Sequence, residues 1–203
     1  MLRRSKLIIT AVATVVVASL GDAAVADPAT KAQVQTQAPA PAHEPENGYW
    51  TGPVNDPVPA TLQEGHVIHT PALAKLLKNK RNIVVVDVSS APRRPENLPA
   101  TTVWLPVPHL GIPGAIWIPG AGLGEPPAAL DEYYRKRLAV ATGADFARPL
   151  VIYCHAQCWL SWNGARRAIQ YGYRNVYWYP DGIEGWRKSR LPTAVVQPEA
   201  TPR

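Results

Sequence analysis

The sequence predicts an α/β domain in which helices flank a central parallel sheet of about five strands, a three-layer arrangement. Two observations predict it. Short runs at residues 83–86, 150–153 and 176–179 are apolar or aromatic at every position, the pattern of strands buried on both faces. Segments of helical period stand between such runs, and alternation of this kind builds a parallel sheet with helices on both sides.

Taken in order, residues 67–69 form a short first strand. Thr70-Pro71 then starts a helix, with Thr70 as N-cap and Pro71 at the first helical position. Leu73, Leu76 and Leu77 supply its apolar face, and Lys75, Lys78 and Lys80 its wet one. The strand at 83–86 ends at Asp87. Residues 91–114 are proline-rich and read as a long loop, followed by a third strand at 115–118 that Pro119-Gly120 stops. The longest helix covers 127–142, with Leu130, Tyr134 and Leu138 on its inner face and Gly143 as the C′ residue. The fourth strand, 150–153, delivers the chain to Cys154. A helix follows over about 161–170, and the fifth strand, 176–179, is closed by Pro180-Asp181-Gly182.

The 203 residues divide into four stretches. Residues 1–26 have a basic head (Arg3, Arg4, Lys6), a short uncharged run and an Ala24-Val25-Ala26 end, the parts of a secretory signal peptide. Cleavage after Ala26 is expected. The alternative, a retained anchor, needs a longer apolar run, since a spanning helix takes about 20 residues. Residues 27–47, rich in Ala, Pro, Gln and Thr, read as a disordered or polyproline-like linker. Residues 48–192 are one domain, and 193–203 a flexible tail. The formal charge of +6 falls to about +4 once the leader is removed. Its basic residues are scattered, with no tract of the kind that binds nucleic acid, and no stable membrane insertion is expected after cleavage.

Cys154 and Cys158 are the only two cysteines, within Cys154-His155-Ala156-Gln157-Cys158-Trp159. Cys154 falls where a strand hands over to a helix, at the edge where α/β sheets place their sites. A cysteine attacks as its thiolate, which a helix N-terminus and loop amides favour. Such amides also cradle an anionic group such as a persulfide. Three other readings are open. One is a structural disulfide, natural in an oxidising compartment, although so small a ring stabilises little. Another is a pair of inert buried thiols. The third is a metal site, which lacks a second ligand pair even with His155 and His109 nearby. Around Cys154 and Cys158 the loop supplies His155, a candidate base, with Ala156, Gln157, Trp159 and Ser161. Trp159 and Trp162 form either an apolar wall or a docking surface. Arg166 and Arg167, on the next helix, either support an anion or are simply exposed. Asp87 either organises the Cys154 loop or caps a turn.

The ordered motifs resemble the rhodanese superfamily. Residues 83–88 resemble its strand ending in Asp-Val, here Asp87-Val88. Ile112-Pro113-Gly114-Ala115 resembles its I-P-G-A segment, and Gly172-Tyr173-Arg174-Asn175-Val176 its turn into the last strand. Gly182-Ile183-Glu184-Gly185-Trp186 resembles its closing G-x-x-x-W. A narrower likeness runs through Tyr153-Cys154, Cys158-Trp159, Ser161-Trp162-Asn163 and residues 176–182, with Gly48-Tyr49-Trp50 and residues 142–145. It is similar to the exported CXXCW motif proteins associated with catabolism dependent on pyrroloquinoline quinone (PQQ). The resemblance implies a rhodanese-like fold and a periplasmic location. It also implies sulfurtransferase or thiol chemistry in which Cys154 attacks a small sulfur donor and Cys158 releases the product. The partner it implies is a PQQ-dependent dehydrogenase or a c-type cytochrome. It names a pathway, and nothing in the sequence calls for PQQ to be bound; neither cofactor nor metal is expected. Two departures bear on the donor. Trp159 stands near the place of the usual loop arginine, and Ser89 follows Asp87-Val88 where an arginine is usual. An anionic donor such as thiosulfate therefore meets less positive charge here. Thiol–disulfide exchange and a non-catalytic accessory role are the competing functions.

Overall fold

The computed structural model describes residues 42–46, 48–79 and 82–200. The leader, most of the linker, Lys80 and the last three residues lie outside the described residues, so the signal peptide is an expectation from sequence only. Among the described residues, no helix is long and apolar enough to cross a membrane.

Five parallel strands form the sheet, in the order β1-β6-β5-β2-β4. They are β1 (His66–Val67), β2 (Val84–Asp87), β4 (Ile116–Trp117), β5 (Leu150–Tyr153) and β6 (Val176–Tyr179). The two central strands, β2 and β5, are buried at every residue, which is what apolarity at every position specifies. Register places Asp87 beside Tyr153 and Tyr153 beside Tyr179, so three strands end at one edge just before Cys154.

Helices cover both faces. On one side α2 (Ala128–Thr142) and α3 (Trp159–Gln170) bring Tyr134, Leu138, Trp162 and Ala165 onto the inner face of Val86, Ile152 and Trp178. On the other, α1 (Thr70–Asn79) and α4 (Gly182–Lys188) pack Leu73, Ile183 and Trp186 against Val85, Val151 and Tyr179. Burying side chains of this size contributes about 1.5–3 kcal/mol each, which makes the two clusters the main source of stability. Gly143 ends α2 at φ 66°, and the next amide, Ala144, reaches back to Ala139.

Several expectations are corrected. Helix α3 begins at Trp159, two residues earlier than read, because the chain turns helical directly after Cys158. Pro180-Asp181-Gly182 leads into a fourth helix, α4, instead of a plain turn. Thr70 does not cap its own helix: its amide and hydroxyl both donate to Asp181 Oδ2, at 2.8 Å each, tying α1 to the end of β6. Within the tail, residues 194–199 are tied to the domain. β7 (Ala194–Val195) pairs antiparallel with β3 (Leu110–Gly111), inside the stretch read as loop, and Glu199 meets Arg137 at 2.8 Å. The end of the linker is docked too, with the Ala42 amide donating to Val58 and Glu44 holding Thr61 and Gln63.

Candidate active site at the thiol pair

Strand β5 lays Cys154 at the sheet edge, the four residues that follow form a tight loop, and α3 starts with Cys158 as its N-cap residue. Gln157, at φ 52°, provides the left-handed step that turns the loop. The loop is held from outside. Its Ala156 amide donates to Glu184 Oε2 at 2.8 Å, His155 Nδ1 lies 2.9 Å from Glu184 Oε1, and the Gln157 amide donates to the Pro180 carbonyl. The Cys154 carbonyl accepts from the Ile183 amide at 3.0 Å. Gly182, at φ 59°, fits where nothing larger can: a Cβ there would sit 2.3 Å from both the Ala156 nitrogen and the His155 carbonyl carbon. The first turn of α4 is thus a clamp on the loop.

The two thiols influence each other, and their acidities shift in opposite directions. Cys154 is only 1% exposed. Its Sγ faces the carbonyl oxygens of His155 at 3.6 Å and Cys158 at 3.7 Å, acceptors that favour S–H over S⁻. Burial, and after it the neighbouring Cys158, push this thiol well above the ordinary cysteine range. Cys158 is 3% exposed and is the N-cap residue of α3, with no side-chain hydrogen bond to the helix amides. The neighbouring Cys154 thiol outweighs the penalty of burial, and the Cys158 pKa is lowered to about 7. Cys154, expected as a reachable sulfur, is buried; the Ser161 hydroxyl and amide favour its charged form, but burial outweighs them.

The other predicted residues fall as follows. Ser161 is buried, donating its hydroxyl to the Cys158 carbonyl at 2.9 Å and accepting from Trp178 Nε1 at 3.0 Å. Trp159 and Trp162 are fully buried and meet edge to face, so they form an apolar wall and not an exposed rim. Trp159 Nε1 has no hydrogen-bond partner among the described residues. Arg166 reaches the Gln63 carbonyl and Arg167 is buried, paired with Asp131 at 2.8 Å; both guanidinium groups bond away from the loop. Asp87 caps a turn: its Oδ1 accepts from the Ser89 amide and hydroxyl, while Oδ2 lies 2.7 Å from His109 Nε2.

Sequence reasoning missed a covering arm. Trp50 stacks on Trp159 with ring centres 4.6 Å apart, and the Val54 carbonyl accepts from the Trp159 amide at 3.0 Å. Farther along, Asp56, Pro57 and Val58 line a cleft of about 570 Å³ together with His69, Gln157 and Trp178. The arm therefore runs along the start of α3 and lines the cleft at Gln157. Glu184 was missed as well. It stood inside the quoted G-x-x-x-W segment, yet nothing local shows that its carboxylate turns back to the loop.

A parallel five-stranded sheet with a cysteine loop between a central strand and a helix defines a rhodanese-type α/β domain. The rhodanese-like domain family matches residues 70–189, more than half of the chain, and the protein belongs to that family. Among solved structures it is similar to the thiosulfate sulfurtransferase of Pseudomonas aeruginosa, at 18% identity and TM-score 0.47 over 70% of this chain and 22% of that one. It is also similar to the polysulfide-sulfur transferase of Wolinella succinogenes, at 18% identity and TM-score 0.41 over 64% of this chain and 79% of that one. A Bacillus halodurans protein is 26% identical with TM-score 0.39, over 64% and 77% of the two chains. The chain spans about a fifth of the length of the Pseudomonas protein. None of the curated proteins matches.

Proposed function

We propose that this is a periplasmic rhodanese-like protein whose Cys154–Cys158 pair performs sulfur transfer or thiol chemistry, as an accessory to PQQ-dependent alcohol oxidation. One observation carries the chemical part: two buried thiols four residues apart at the strand–helix junction of a rhodanese-like domain, whose acidities shift in opposite directions. A buried inert pair does not need this polarisation, and a lowered pKa is what makes a thiol reactive near neutral pH. The signal-like leader and the Cys154-to-Gly182 motif resemblance support the location and the pathway. The pathway implies a PQQ-dependent dehydrogenase or c-type cytochrome as physical partner.

Mass spectrometry of the fully reduced chain after exposure to polysulfide tests the chemistry. Sulfur gained on the pair, or two hydrogens lost as it closes to a disulfide, is the expected result; an unchanged mass contradicts it. A non-catalytic accessory role is the second reading, favoured by the burial of both sulfurs. Growth on alcohols separates the two. The chemical reading expects Cys154→Ser to behave like deletion of the gene. The accessory reading expects loss only on deletion.

A further inference from the structure

We infer that the cleft beside Gln157 seats the sulfur–sulfur substrate and selects a cationic one, an amine-bearing disulfide. The inference rests on the proposal that the pair performs sulfur or thiol chemistry, and it names the substrate class for that chemistry.

Three observations agree. The first is place. The cleft, of about 570 Å³, is bounded by the arm, by Pro180 directly after β6 and by Gln157, the loop residue that adjoins Cys158. The space beyond the carboxyl ends of the strands is where α/β sheets bind ligands, and clefts of about 300–1,000 Å³ suit small organic molecules. The second is lining. Val58 and Trp178 are buried and Val67 is half-buried, so the floor is apolar and fits a chain of methylene groups and sulfur. The third is charge. Asp56 is half-buried in the wall, and its carboxylate makes no ion pair among the described residues. No lysine or arginine lines the cleft among the described residues. The lining histidine, His69, is tied through Nδ1 to Asp181 at 2.7 Å, which matches any charge it carries. A second carboxylate, Glu184, holds the same loop at the Ala156 amide. An ammonium group is attracted to such a wall, and an anionic group is repelled with no cation to offset the repulsion.

The exchange balances for a substrate R–S–S–R seated there. One thiol of the pair gives its proton to solvent and bonds to a substrate sulfur; the substrate S–S bond breaks, and RS⁻ leaves with the electron pair and takes up a proton. The other thiol, deprotonated in the same way, attacks the protein sulfur of the mixed disulfide, and the second RS⁻ leaves and is protonated. The substrate gains two electrons as two RSH, and the pair loses two as the Cys154–Cys158 disulfide.

Two disulfides are the probes, cationic cystamine and neutral hydroxyethyl disulfide, each applied to the reduced chain and to Asp56→Asn. Each rate is divided by that of mercaptoethanol with the same disulfide, which removes the intrinsic reactivity of the probe. On this scale cystamine should exceed hydroxyethyl disulfide by about three- to fivefold, the effect of a partly exposed charge pair, and Asp56→Asn should bring the two together. Hexamethylenediamine, with the length of cystamine and no sulfur, should slow the cystamine reaction of the unaltered chain and shift its Gln157 amide resonance. Equal rates in the unaltered chain, or a cystamine preference that survives in Asp56→Asn, overturn the cleft assignment while the chemistry of the pair stands. If neither disulfide reacts with either chain, the functional proposal fails, and the diamine titration decides the site by itself. A Gln157 shift that Asp56→Asn abolishes then supports it, and the absence of a shift overturns it.

Discussion

Two thiols four positions apart, whose acidities shift in opposite directions, set the chemistry of this protein. The lowered pKa of Cys158 makes one pH prediction. Its dominant cause is the neighbouring Cys154 thiol, so the charged form is favoured by the fold and populated from about pH 7 upward. The alkylation rate of Cys158 should rise through that pH. It should rise only at higher pH in Cys154→Ala, which removes that neighbour; an unchanged profile would remove Cys154 from the account. Glu184 makes another. Partial burial works against its charge, but the hydrogen bonds from His155 and Ala156 outweigh burial and lower its pKa. A depressed carboxylate contributes above its unfolded pKa and loses that contribution as pH falls through the folded one. Amide exchange at Ala156 should therefore accelerate below the ordinary carboxylate range, and should be fast at all pH values in Glu184→Ala. Gly182→Ala forces a Cβ into the loop backbone at a left-handed φ and should cost about 1–3 kcal/mol in chemical unfolding.

At the scale of elements, α3 and the arm decide whether the pair is reachable. Helix α3 is anchored by Arg167, which is 2% exposed, pairs with Asp131 and donates to the carbonyls of Ala121, Leu123 and Gly124. Arg167→Leu strands those groups and should cost about 3 kcal/mol in thermal or chemical unfolding. The arm is held more lightly, through the Trp50–Trp159 stack and the pairing of Asn163 with the Trp50 backbone. Losing such a stack costs about 0.5–1.5 kcal/mol beyond area. Trp50→Ala should thus leave the domain folded and speed thiol alkylation several-fold; an unchanged rate with an intact fold would show that the arm does not control access.

These elements also show what sequence patterns carry and what they do not. The central strands and α2 were legible because full burial and helical period are local signals, as Val84–Asp87, Leu150–Tyr153 and the Leu130, Tyr134, Leu138 face demonstrate. The position of Cys154 at the sheet edge was legible for the same reason. The charge states were not. They depend on which carbonyls and amides converge on each sulfur, and a tight loop decides this in three dimensions. Helix α4, the β3–β7 pairing and the arm escaped because each is held by distant partners: Asp181 on Thr70, the tail on Leu110, Val54 on Trp159.

Across the whole molecule, a rhodanese-type sheet presents a cysteine loop that, among the described residues, is held by the Glu184 carboxylate and by no guanidinium group, with Asp56 lining the adjoining cleft. Thiosulfate should accordingly be a poor donor compared with a neutral disulfide. Gln157→Arg, which adds a cation to the exposed loop residue, should narrow that gap, and an equal response to both donors would argue against charge as the filter.

Titration of the reduced protein against glutathione redox buffers bears most directly on the central claim, that the two sulfurs are a working couple. The account predicts a reduction potential above about −300 mV, with the dithiol and the disulfide interconverting in the buffer. A potential below that value, or a pair that never exchanges, would make the sulfurs a structural fixture and contradict the account.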